Sequence, residues 1–370
     1  MFFNNTAKTS TDAQGAAGAD LSSPNSLRAA EKKASTYATV ALGLGLSLFG
    51  AGCSVPRKPD ALPEQAVAGL NETGELYKHA SSSGAVAAKL SLAAVAGRCS
   101  IEDANRAYSQ ASGTSGVSSH LVVLAKSTNQ GISVINKMYA KSEGWSYPAA
   151  NLVSAAVMSG GTIEEANAKY KEATPWDDHA AAILVTAASV SGRSIQEINS
   201  LYNQSPVTGL PGSILVLGSV LSDTPMAKMN EMYNNADTMS STYGAQLATL
   251  AALHGRSIER INALWDKSSG SGESCLNLIQ AALISGRPIE EINYLFAQTP
   301  TWSSEAGSTL VLTRMAEEDS GGSLDMVPLI YTRPNGKSRS TEFMYLFVRG
   351  FEGRALPFQG ATSEISLPAQ

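Results

Sequence analysis

Few side chains in this 370-residue sequence could carry chemistry, and they are widely scattered. There are four histidines, His79, His120, His179 and His254, and three cysteines, Cys53, Cys99 and Cys275. A structural zinc site needs four ligands at close spacing, and the chain has no His pair at i and i+4, no phosphate-binding glycine loop and no G-x-S-x-G turn. The histidines are expected at the surface or at helix ends, His120 and His179 near the starts of helices. Adjacent acids such as Glu164 with Glu165, Asp177 with Asp178 and Glu290 with Glu291 invite an acid-base reading. Neighbouring residues on a helix point about 100° apart, so these are expected as solvated faces or as first-turn charges that suit the helix dipole. Cys99 and Cys275 read as packing residues, too distant in the repeat order for a disulfide. No enzyme is expected, no metal and no cofactor. Two features remain: Cys53, and a residue pattern that recurs along the chain.

"GRPIEEINYLFAQTP", from Gly286, is nearly repeated by "GRSIQEINSLYNQSP", from Gly192. Aligned on the asparagine of "EIN", the register runs through Asn105, Asn136, Asn167, Asn199, Asn230, Asn262 and Asn293, in steps of 31 or 32 residues. One step further back lies Gly74, in a degenerate first copy. Three residues after each anchor stands a ring: Tyr77, Tyr108, Tyr139, Tyr170, Tyr202, Tyr233, Trp265 and Phe296. A period of this length signals a helical repeat array.

Each copy holds two helical patterns. The second opens on a capping signal, as in "TIEEAN" from Thr162 and "SIQEIN" from Ser194, where hydroxyl and acid satisfy each other's backbone amides. The caps are weaker at Ser257, which is followed by Arg260, and at Pro288. The first is a small-residue apolar segment such as "AAAILVTAASVSG" from Ala180, closing on a glycine suited to the left-handed position after a helix. Two copies end raggedly, at Asn129-Gln130 and at Asp223. On the second helix Ile195, Ile198, Asn199 and Tyr202 share one stripe. The asparagines are therefore expected on the packed side, bonding backbone at the corner between repeats, and the rings in a core layer. The plentiful Ala, Ser and Gly of the first helices should allow close approach and tight curvature.

The two-helix plan resembles the general class of helical solenoids, with a period shorter than the tetratricopeptide repeat and without its Trp, Leu-Gly and Pro markers. It is also similar in passing to the repeats of TAL effectors and mitochondrial termination factors, which wrap DNA. Those need basic positions facing the phosphates; here Glu is as frequent as Lys or Arg there and the net charge is -5, so no nucleic acid partner is expected.

Residues 1–33 have the Ser/Thr/Asn-rich composition of a disordered lead. Lys32 and Lys33 then precede an apolar stretch over 34–53 that closes on "GAGC". This resembles a bacterial lipobox, which implies lipidation at Cys53 and a place in the cell envelope; Gly50 departs from the usual Leu. The same stretch also reads as an uncleaved membrane anchor, or the product as secreted. A third reading rests on the lead, whose composition resembles that of type III secretion signals and implies an effector translocated into a host cell. Residues 54–69 read as a tether.

The expected architecture is all-α, an α-solenoid of about seven to eight two-helix repeats over 70–319. A last amphipathic helix from Ser304 to Asp319 should cover its open end. A β-hairpin cap over 320–358, turning at Asn335-Gly336, is expected either to pack on the final repeat or to offer an edge strand to a partner, before a tail over 359–370. This plan implies a non-enzymatic scaffold, exported or membrane-anchored through its lipid or apolar segment, that binds a protein on its solenoid surface. The alternatives are the effector and an envelope glycan binder, which would need the tyrosine row exposed.

Overall fold

The computed structural model describes residues 64–320, 326–335 and 338–347, all within the unit Pro56–Gln370. Cys53, the lead, the apolar stretch, residues 54–63, the turn residue Gly336 and the tail lie outside the described residues.

Among the described residues sixteen helices follow one another in two alternating kinds. The odd-numbered are α1 (Glu64–His79), α3 (Ile101–Gln110), α5 (Ile132–Lys141), α7 (Ile163–Glu172), α9 (Ile195–Tyr202), α11 (Met226–Asn234), α13 (Ile258–Lys267) and α15 (Ile289–Ala297). The even-numbered are α2 (Gly84–Ala96), α4 (Ser115–Ser127), α6 (Tyr147–Ser159), α8 (Asp178–Ser191), α10 (Gly209–Ser222), α12 (Ser241–Leu253), α14 (Glu273–Ser285) and α16 (Ser304–Ser320). Helix starts at Glu64, so residues 64–69, expected as the end of a tether, form its first turns.

The odd helices bury a single stripe: in α9 only Ile195, Ile198 and Tyr202 are buried. Their starts follow the local code. Thr162 and Ser194 form reciprocal capping boxes with Glu165 and Glu197, Ser257 accepts from the Arg260 amide alone, and Pro288 makes no side-chain cap. The even helices are buried all round, as in α8, where every residue from Ala180 to Val190 is buried; a helix apolar on every side must be enclosed. Several end in the left-handed region, at Gly192 with φ 68° and, in the two ragged copies, at Asn129 and Asp223 with φ 52° and 57°. Short polar side chains tolerate that region better than any other non-glycine residues.

Even helices pack intimately on even neighbours at six of the eight joints, while odd helices meet sparsely. Small side chains bring the even layer together and larger ones space the odd layer, so the array curves with the even helices inside. The curvature runs to closure. Helix α16 packs on α2 and also on α1, taking α1 as the outer helix that would otherwise follow it. Across this seam Lys89 Nζ lies 3.1 Å from Glu305, and the Tyr77 hydroxyl donates to Thr301 at 3.1 Å. The final helix, expected to cover an open end, instead joins the two ends of the helical array.

Eight inner helices spaced 8–10 Å apart leave an axial gap roughly 10–15 Å across, and the hairpin fills it. Strands β1 (Met326–Asn335) and β2 (Ser338–Phe347) pair antiparallel, Val327 opposite Leu346 and Leu329 opposite Met344. Consecutive residues Met326, Val327, Pro328 and Leu329 are all buried, as are Met344, Tyr345 and Leu346, so both faces of the pair are covered. β1 lies against α4, α6 and α8, and β2 against α14, with the Gln246 amide of α12 donating to Met344 Sδ. The inner ring is parted at two opposite joints, α4/α6 and α12/α14, where helices approach least. The hairpin does touch the final repeat, through α14, but it is not a cap on that repeat alone: the strands sit between two four-helix walls, because an eight-membered ring cannot fill its own centre.

Candidate functional site

The repeated asparagines hold the outer layer together. Asn199 donates from Nδ2 to the Glu172 carbonyl at 2.8 Å and accepts at Oδ1 from the Thr174 amide at 3.0 Å. It thus satisfies the last carbonyl of α7 and an amide of the loop that follows. Asn105, Asn136, Asn167, Asn262 and Asn293 make the same two bonds to the outer helix before them. Asn230 makes only the first, to the Gln204 carbonyl, and its Oδ1 has no partner among the described residues. The amide due there belongs to Pro206, which has no N–H. At the seam the same place is Pro300, and the asparagine is replaced by Gly74, where an added Cβ would stand 3.2 Å from the Pro300 ring. The two rungs that differ are those where a proline removes the donor.

Replacing Asn199 by Ala removes two hydrogen bonds at about 1 kcal/mol each, so urea unfolding should show a loss of about 2 kcal/mol. Asn230→Ala should cost about half as much, and equal losses would contradict the account of Pro206.

The rings Tyr108, Tyr139, Tyr170, Tyr233, Trp265 and Phe296 pack half-buried against the core, and Tyr202 is buried. The Tyr202 hydroxyl accepts from the Gly209 amide at the start of the next inner helix. Burial pushes its pKa up, and that of Tyr139, whose hydroxyl accepts from the Ser146 amide at the equivalent place. The Tyr202, Tyr233 and Phe296 rings each rest on a glycine ten or eleven positions on, Gly212, Gly244 and Gly307. An added Cβ at Gly212 would stand 2.9 Å from the Tyr202 ring, and one at Gly307 2.9 Å from Phe296. That small position is legible in the sequence once the ring row is known.

The inner ring holds polar residues at one register, which sequence reasoning passed over: Lys89, His120, Asn151, Gln246, Asn277 and Ser308, all buried. Asn277 donates to Ser308 Oγ at 3.2 Å. His120 overturns its expectation of a surface or helix-end place, being fully buried with Nε2 2.9 Å from Ser154 Oγ. Ser154 gives its own proton to the Ala150 carbonyl, so the imidazole Nε2 donates. Burial, and then the nearby Lys89 charge, depress the His120 pKa to about 3. This Ser-His contact has the outline of a nucleophile and base, but an imidazole titrating near 3 is a poor proton acceptor at neutral pH. The Lys89 pKa is lowered too, by burial, against the opposing pull of Glu305 and Glu273. Cys99 and Cys275 are free thiols, Cys275 buried and raised to about 11 by that burial. His79 is exposed, and His179 and His254 are half-buried.

The residue after the ladder asparagine is exposed in six of the seven copies, as Arg106, Lys137, Ala168, Ser200, Glu231 and Ala263, and is half-buried Tyr294 in the seventh. On otherwise similar helices its chemistry runs from cationic in the first two of these copies to small, polar and anionic in the others. No protein-family profile and no curated protein matches this sequence.

Proposed function

We propose that the chain is a non-enzymatic helical-repeat scaffold, exported or membrane-anchored, that binds a protein partner on the outer face of its ring. The observation that carries this reading is the contrast between constant and variable positions. Asparagines, rings and small residues recur because the framework uses them, whereas the position after the asparagine, exposed in six of the seven copies, changes from cationic Arg106 and Lys137 through Ser200 to anionic Glu231. A concave surface is the usual binding face of a solenoid; here the chain's own hairpin occupies it, which turns attention outward. The rings are buried or half-buried against the core, so the row does not favour a glycan-binding reading, which needs it exposed.

A photoreactive amino acid placed in turn at positions 106, 137, 168, 200, 231 and 263 of the full chain tests this. Adducts of one discrete mass from a contiguous subset of these positions are expected in the producing cell. If all six stay free of adducts while the protein is folded and abundant, the outer face is not the binding surface.

A further inference from the structure

Eight loops lead from an outer helix to the next inner helix, all emerging at one rim of the ring. Six residues after each framework ring these loops share a repeat position. It holds Trp145, Trp176, Met239 and Trp302 in four copies and Ser or Thr in the others, such as Thr208. The four apolar side chains are 69%, 93%, 90% and 97% exposed. Three of the four tryptophans in the chain are therefore held in solvent at one structural position, and a set of large apolar groups this exposed marks an interaction site.

Two features shape the set. The array closes, with α16 packing on α2 and α1, so equivalent positions stand at one level instead of climbing a helical ramp. Counting from the α1–α2 loop, the four fall in the third, fourth, sixth and eighth copies, spread around the rim instead of gathered on one arc. A linear chain could touch neighbouring members only, whereas a flat apolar phase meets all four. Within these loops the charged residues are Glu143, Asp177 and Asp237, with no Lys or Arg; Glu143 is paired with Lys171 of the adjoining helix end at 2.6 Å, which leaves Asp177 and Asp237 as the charges of the loops. Like charge opposes stacking against a second copy or settling on an anionic surface, and a neutral headgroup layer presents no such repulsion. Indole, apolar in body and polar at its N–H, favours the boundary between headgroups and acyl chains. We propose that this rim seats on the surface of a zwitterionic lipid bilayer, with the Trp145, Trp176 and Trp302 rings and the Met239 side chain entering the headgroup boundary.

The test uses the full chain and its W145T/W176T/W302S variant, which gives those positions side chains that other copies already carry. Tryptophan emission is read with phosphatidylcholine vesicles, with and without brominated acyl chains. The wild type should shift to the blue and be quenched by bromine. The variant, left with half-buried Trp265, should show neither change while keeping the same melting temperature. The readout reports on the rim itself, so another segment holding the chain on the vesicle would not imitate it. Rim emission unmoved by vesicles, quenching retained in the variant, or a shift that requires phosphatidylglycerol would each overturn the proposal. So would a shift produced by soluble polysaccharide and not by vesicles, which would make the rim a glycan surface.

Discussion

A chain ending at Ser320 is expected to lose its cooperative unfolding transition. The hairpin puts Met326, Val327, Leu329, Met344, Tyr345 and Leu346 into the ring centre, each at most 8% exposed. At about 1.5–3 kcal/mol per large apolar side chain, their removal forfeits on the order of 10 kcal/mol, comparable to the whole stability of a typical domain. It also leaves the inner walls facing a wet gap. Circular dichroism should still report helix, while the thermal transition broadens or vanishes. A gentler pair of substitutions separates filling from bonding. Tyr345→Ala should cost about 3–5 kcal/mol, as buried aromatic truncations do. Tyr345→Phe should be neutral or slightly stabilising, since the hydroxyl has no hydrogen-bond partner among the described residues and removing an unsatisfied polar group relieves a desolvation cost. An unchanged transition in the truncated chain would mean that the hairpin does not fill the ring.

Acid should weaken the ring through His120. Its folded pKa, about 3, lies below the ordinary 6.5, so between those values the unfolded chain takes up a proton that the folded chain refuses. Stability from this group is fully present above pH 6.5 and is lost as pH falls toward 3, at about 1.4 kcal/mol per pH unit. From pH 6.5 to pH 4 the loss is on the order of 3 kcal/mol. Carboxylates held low by lysine partners, such as Glu75 and Glu164, act in the same direction, so the measurement is a difference. Urea unfolding of the wild type and of His120→Gln, which keeps a donor for Ser154, should show the wild type losing its advantage across that window. Parallel curves would place the imidazole in contact with water.

Ring closure also changes what each end of the chain does. Helix α1 is outer in kind and α16 inner, and the eighth pair is assembled from the two of them. Contacts such as Tyr77 with Thr301, 224 residues apart, therefore join segments that must find each other late. The buried Lys89 at this seam lies 3.1 Å from the Glu305 carboxylate; the desolvation of the two charges offsets much of their attraction, so the pair is weak evidence for stability.

The sequence alone determined the repeat, its period and the alternation of two helix kinds, because each rests on interactions within a few residues. Capping boxes at Thr162 and Ser194, the stripe of Ile195, Ile198 and Tyr202, and the Asn335-Gly336 turn between two apolar runs are all local signals, and the asparagine and ring rows follow from counting. The tertiary structure alone decided closure, the seat of the hairpin, the burial of His120 and the common level of the rim tryptophans. Closure depends on a small rotation per repeat accumulated over eight copies, and that rotation reflects the difference in spacing between inner and outer layers, which no single copy displays. His120 carried a faint signal, in register with Lys89 and Asn151 inside apolar helices, but its burial required a neighbour on every side. The hairpin could be recognised as a hairpin from its own residues. Where it sits depended on a gap that exists only once the last helix has met the first.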